Sequence, residues 1–214
     1  MAKKETLEAV KKALEESKKL ERKFKQTVDV VINLKNVDLN NPKNRIEEEI
    51  TLPNGRGKDA KIAVFADGEL ALKAKKVADL VIKPEEINDL SKDKKKMKDI
   101  ANDYDFFVAE APLMPTIGKT LGVVLGPRGK MPKPIPPTAD IGGIVKTLKK
   151  TVKVRSKGKK TFHTIAGTED MEPEKIAENV DAILKRLEEK LERGRQNIAS
   201  VYVKTTMGPS ARVI

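Results

Sequence analysis

The sequence predicts a mixed architecture, α+β and α/β: a split α+β sandwich on an antiparallel sheet, interrupted by an inserted α/β domain. Three observations lead there. Apolar residues alternate at period two near both ends of the chain, at 27–34 (TVDVVINL) and again at 200–206 (SVYVKTT), as half-buried antiparallel strands require. The middle carries short continuous apolar runs such as 61–65 (KIAVF), separated by helical stretches, the pattern of parallel strands buried on both faces. Hydrophobic residues make up 38% of the 214 positions, enough for one large core or two small ones.

Taken in order, residues 5–20 read as a helix, because Leu7, Val10, Leu14 and Ser17 recur at three- and four-residue steps among Lys and Glu. Strand 27–34 puts Val28, Val30, Ile32 and Leu34 on one face. A loop over 37–45, rich in Asn and carrying Pro42, leads to a second strand at 46–52 that ends at Pro53-Asn54-Gly55. The pattern then changes. Strand 61–65, helix 69–78, strand 79–82, a charged helix 85–101, strand 106–109 and a short helix 115–121 alternate, which predicts a three-layer unit with parallel strands. Residues 126–137 (GPRGKMPKPIPP) read as a Pro/Gly loop, and 142–150 as a closing helix.

The antiparallel pattern returns at 151–156 and 161–165, two strands flanking a basic hairpin turn at Lys157-Gly158-Lys159-Lys160. Pro173 suits a helix start and Gly194 its stop. Between them Ile176, Val180, Ile183, Leu184, Leu187 and Leu191 form the apolar stripe. The last strand, 200–206, sets Val201 and Val203 against Tyr202 and Lys204. It runs into Thr206-Met207-Gly208-Pro209, a turn where Gly208 allows close approach of a partner and Pro209 fixes the exit. The expected division is a split domain of residues 1–58 and 153–214, two helices against an antiparallel sheet, around an α/β insert of residues 59–152.

Composition limits function. Lys and Arg number 44 against 32 Asp and Glu, a net charge of +12. The excess is shared equally among 1–58, 59–152 and 153–214. Such a balance favours nucleic acid as a partner. A membrane surface is disfavoured, because no basic helix carries a broad apolar face. Aromatic residues are only 3% and cysteine is absent, so the cores are aliphatic and disulfide or thiolate-metal sites are excluded. No apolar leader or spanning run is present, and the expected location is cytoplasmic.

Catalytic constellations are thin. His163 stands alone and cannot form a multi-histidine metal site or a Cys–His pair. No cofactor or metal is expected. Gly118-Lys119-Thr120 and Gly129-Lys130 resemble the end of a phosphate loop, but their first glycines fall on Leu113 and Val124. Gly55-Arg56-Gly57-Lys58-Asp59-Ala60 matches a dinucleotide fingerprint literally yet precedes a strand. A nucleotide-binding enzyme of α/β type is the alternative function, and it lacks an intact phosphate loop. The basic features are more promising. Lys23-Phe24-Lys25-Gln26-Thr27 places an aromatic ring between cations at the mouth of a strand, suited to stacking on a base while the lysines hold phosphates. The run at 92–98 (KDKKKMK) reads as a solvated helix face.

Three stretches, RKFKQTVDV at 22–30, VLGPRGKMPKP at 124–134 and SVYVKTTMGPS at 200–210, resemble in order and spacing the large-subunit ribosomal protein L-one family, its archaeal branch best. The resemblance implies a split domain holding the principal RNA site and a Rossmann-like insert. It implies RNA contacts at Phe24, Thr27, Ser200, Thr206, Met207 and Gly208, with Lys23, Gln26 and Lys204 beside them. Lys157, Lys159 and His163 are expected as secondary contacts. Arg128, Lys130 and Lys133 of the Pro/Gly stretch either touch RNA or tRNA or shape a stiff loop. The implied partners are the stalk region of large-subunit rRNA, the ribosome, exit-site tRNA and the protein's own mRNA. The implied roles are release of deacylated tRNA and repression of its own translation, by a protein monomeric when free.

Overall fold

The computed structural model of the chain describes residues 3–19, 22–39, 41 and 44–214. The expected helix end at residue 20 and Pro42 of the expected loop lie outside them, and the side chain of Lys92 is likewise not described. The fold is mixed, with one antiparallel and one parallel four-stranded sheet. The chain divides into two compact units, one of residues 1–59 and 150–214, the other of residues 60–149.

The first unit is built around strand β1 (Thr27–Leu34). Its alternation is obeyed: Val28, Val30, Ile32 and Leu34 are buried, and the residues between them are half-exposed. β1 pairs antiparallel with β8 (Thr161–Thr168) on one side and with β9 (Ile198–Thr205) on the other, and β10 (Ser210–Arg212) extends the sheet beyond β9. Helices α1 (Lys4–Lys18) and α8 (Pro173–Lys190) pack on one face. Val10, Ala13 and Leu14 of α1 and Ile176, Val180, Ile183, Leu184 and Leu187 of α8 meet the inward side chains of the sheet in a continuous aliphatic core. β2 (Glu47–Thr51) and β7 (Thr151–Arg155) form a separate two-stranded ribbon on the same core.

The second unit is a doubly wound sheet of order β4-β3-β5-β6, all parallel: β3 (Ile62–Phe65), β4 (Leu80–Ile82), β5 (Phe106–Glu110) and β6 (Lys133–Ile135). Alternate side chains enter two cores, as strands covered on both faces require. Ile62, Val64 and Val108 pack with α2 (Gly68–Ala74) and α7 (Ile141–Lys149). Phe65, Phe107 and Ala109 pack with α3 (Pro84–Lys92), α4 (Lys94–Asp103), α5 (Met114–Thr120) and α6 (Gly122–Arg128).

Five local expectations are corrected. The charged helix breaks in two, because Asp93 turns its carboxylate onto the Lys95 and Lys96 amides and starts α4. The Pro/Gly stretch is no loop throughout: it ends α6, turns at left-handed Gly129 (φ 66°) and supplies edge strand β6. Lys157–Lys160 does not close a hairpin within one sheet, since β7 pairs with β2 and β8 with β1. The last long helix stops at Lys190, and Gly194 opens a short 3₁₀ turn instead. The Thr-Met-Gly-Pro turn joins β9 to a further strand, β10, which local pattern did not reveal.

Candidate nucleic-acid interface

Helices cover one face of the antiparallel sheet, and the other presents its side chains outward. Strand alternation decides which residues these are. Across it, Asp29 stands opposite Lys204 and Ile165, Val31 opposite Tyr202 and His163, and Asn33 opposite Ser200 and Thr161. Lys204 and Tyr202 in turn face Ser210 and Arg212 of β10.

At one end of this face the start of β1 meets the β9–β10 turn. The amide of Thr206 donates to the Thr27 carbonyl at 3.0 Å. The Thr27 amide donates to Thr206 Oγ1 at 3.2 Å, and the two hydroxyls lie 3.0 Å apart. Beneath them runs a buried polar network. Gln26, 2% exposed, donates through Nε2 to Ser17 Oγ (2.8 Å) and accepts from the Met207 amide through Oε1 (3.0 Å). Thr205 Oγ1 donates to the same Ser17 oxygen at 3.0 Å. The network fixes the turn so that Met207, 53% exposed, projects from it. Phe24, 51% exposed, stands two residues before Gln26. Lys23 is exposed beside it, and Lys25 is held to Asp170 at 2.5 Å.

Two expected contact residues have other duties. Gln26 is enclosed, with both ends of its amide engaged inside the protein. Gly208 is buried rather than open to a partner; a Cβ there would come 2.2 Å from Thr205 Oγ1, so glycine is required by the turn's own packing.

Ser200 lies at the opposite end of the face. From Thr27 to Asn33, its cross-strand partner, is roughly 20 Å at the usual rise per strand residue. Its hydroxyl accepts from Asn33 Nδ2 at 2.8 Å. Lys157, in left-handed conformation (φ 50°), and Lys159 occupy the turn entering β8 at that same end. His163 and Lys204 lie between the two ends, flanking Asp29. Half-burial pushes the Asp29 carboxyl above its ordinary value, against the opposing pull of His163 and Lys204. Asp29, Asn33 and Tyr202 were not singled out as site residues. The signal was present in β1, whose polar positions 29 and 33 alternate with the buried valines and isoleucine.

Arg128, Lys130 and Lys133 belong to the second unit. Lys130 Nζ donates to the carbonyls of Ala101 and Tyr104 at 2.8 and 2.7 Å, at the end of α4. Desolvation lowers its pKa. Arg128 reaches Asn102 Oδ1 and the Val124 carbonyl. Arg128 and Lys130 thus brace helix ends, while Lys133 opens strand β6. None of the phosphate-loop resemblances forms a cradle: Gly118-Lys119-Thr120 closes α5, Gly129-Lys130 closes α6, and Gly57 packs on Thr168 in a turn. Among the described residues no cluster of metal-ligating side chains occurs, and no helix is long and apolar enough to cross a membrane.

The chain is similar along its length to known proteins. The family model described as ribosomal protein L1p/L10e matches residues 12–209. The large ribosomal subunit protein uL1 of Methanocella arvoryzae is 58% identical over the whole of both chains. That of Methanothermobacter thermautotrophicus is 56% identical over 98% of this chain and 99% of its own, and that of Haloferax volcanii is 52% identical over 97% of each. These relatives are ribosomal proteins and not enzymes. With the match spanning both units and relatives aligned end to end, the chain belongs to the ribosomal protein L1p/L10e family.

Proposed function

We propose that the chain is a structural component of the large ribosomal subunit that binds the stalk region of large-subunit rRNA through the open sheet face of its first unit. The observation that carries the reading is the Thr27–Thr206 junction, where two hydroxyls meet beside exposed Met207, whose amide is held by buried Gln26, with exposed Phe24 three residues before Thr27 in the chain. Folded RNA offers a shallow minor groove, 2′-hydroxyls and splayed bases. Hydroxyls on a rigid turn suit the first two, and an exposed ring and thioether suit the third. Lys23, Lys204, Lys157 and Lys159 add affinity that falls with salt. The relatives' shared name, large ribosomal subunit protein uL1, supports the assignment.

The same surface serves two further roles in this reading. It binds a similar motif in the protein's own mRNA and so represses its translation, and on the ribosome the protein assists release of deacylated tRNA from the exit site. The protein acts in the cytoplasm and is monomeric when free.

The test is footprinting on large-subunit rRNA, joined to filter binding with Thr206→Val. The reading expects one protected stalk segment and roughly tenfold weaker binding by the variant, the effect of about 1.4 kcal/mol from one interfacial hydrogen bond, with an unchanged circular dichroism spectrum. Equal affinity of the folded variant overturns the assigned surface. Addition of wild-type protein to a translation extract is expected to depress synthesis from its own mRNA, and Thr206→Val to relieve that repression.

A further inference from the structure

At the end of the open face away from Met207, a polar row crosses three strands. Thr161 of β8, Asn33 of β1 and Ser200 of β9 are directly opposed partners. Thr161 Oγ1 donates to Asn33 Oδ1 at 2.7 Å, and Asn33 Nδ2 donates to Ser200 Oγ at 2.8 Å. The row therefore has a direction. Thr161 occupies the amide oxygen and turns the amide nitrogen toward Ser200. Ser200 accepts from it, which leaves the serine's own hydrogen free to point away from the sheet.

We propose that Asn33 is a positioning residue that presents Ser200 as a hydrogen-bond donor, so that this end of the face selects an acceptor atom on the RNA. The inference rests on the proposed RNA-binding reading and adds a polarity to it. An asparagine on a half-exposed strand face has little packing reason to be there. An amide bridging two hydroxyls settles which of them offers a proton. Lys157 and Lys159, at the turn that leads into Thr161, bring positive charge to the same end, where a backbone rich in acceptor oxygens would lie. The row is also tolerant of exchange, because Asn33 is half-exposed and Thr161 exposed.

Asn33→Asp tests the polarity with almost no change in shape. A carboxylate in that place accepts from both hydroxyls, so Ser200 turns its hydrogen inward and offers RNA lone pairs only. The variant also adds a negative charge, which a double-mutant cycle removes from the comparison. The probe is a transcript of large-subunit rRNA from Methanocella arvoryzae, whose uL1 protein is 58% identical. Affinities are measured for wild type, Ser200→Ala, Asn33→Asp and the double variant, with thermal melting as the control for folding.

Ser200→Ala is expected to weaken binding by roughly 3- to 10-fold, the worth of one net hydrogen bond. Asn33→Asp should weaken wild type by a larger factor than it weakens Ser200→Ala, because only the charge effect survives in the second background. Asn33→Ala, which carries no charge, should weaken wild type and leave Ser200→Ala unchanged. Equal factors in both backgrounds, or a Ser200→Ala protein that binds like wild type, overturn the proposal. Failure of wild type to bind the transcript overturns the RNA-binding reading itself, a result distinct from either.

Discussion

Two stretches of this chain, 206–209 in the first unit and 126–132 in the second, share their ingredients: glycine, proline and one exposed methionine. Their hydrogen-bonding groups face opposite ways. Under the first, Gln26 accepts from the Met207 amide and is itself held by Ser17, which also accepts from the Thr205 hydroxyl, leaving the Met207 and Thr206 side chains on the surface. In the second, Lys130 and Arg128 turn back onto the protein's own carbonyls. A cation whose donors are already engaged on backbone is a brace, however basic the motif reads. A turn whose interior is satisfied by buried groups can offer its outer atoms to a partner. Residue types alone do not separate the two cases; the direction of the donors does.

The sharpest way to break the comparison is at its glycines. Gly208→Ala forces a methyl group against Thr205 Oγ1, which is itself bonded to buried Ser17. It should cost about 3 kcal/mol of stability, the upper range for an overpacked site, and weaken RNA binding in the fraction that remains folded. Urea denaturation followed by filter binding reads both. Lys130→Met comes next. It strands the Ala101 and Tyr104 carbonyls, at an expected cost of about 2 kcal/mol given that the site is part-exposed, while RNA affinity in the folded protein stays within twofold. A large loss of affinity at unchanged stability would reverse the assignment of that segment from brace to contact. The smallest effect is expected from Gly126→Ala. Nothing beyond its chain neighbours lies within 4 Å of the added carbon, but the next residue is Pro127 inside α6, whose ring crowds a Cβ on the preceding helical residue. That crowding offsets the gain in helix propensity, so stability should change by no more than about 0.5 kcal/mol, seen as a nearly unchanged melting temperature.

Much of the fold was legible because it rests on local periodicity. β1 was found residue for residue from its period-two alternation, and the apolar stripe of α8 from its three- and four-residue steps. The change from alternating to continuous apolar strands marked the parallel sheet. What escaped depends on partners distant in sequence. β10 has only three residues, and its existence is decided by pairing with β9. Nothing in 151–165 says that its two strands join different sheets, since each is claimed by a segment a hundred residues or more away. The split at Asp93 turns on one carboxylate choosing two nearby amides over a continued helix. For the candidate site, the exposure of Phe24 and Met207 agrees with what the local motif and the resemblance lead one to expect. The enclosure of Gln26 does not, because a glutamine beside lysines reads as surface until the hydroxyl of Ser17 and the amide of Met207 are placed around it.

The central position of β1 has a consequence for synthesis. Both of its neighbours, β8 and β9, come from the last third of the chain, whereas every strand of the parallel sheet comes from residues 60–149. A nascent chain can therefore complete the second unit while its opening segment still waits for a mate. The proposed contact surface comes into being only once residues near 207 have left the tunnel, so incomplete translation products lack it and cannot compete with finished protein for a place on RNA.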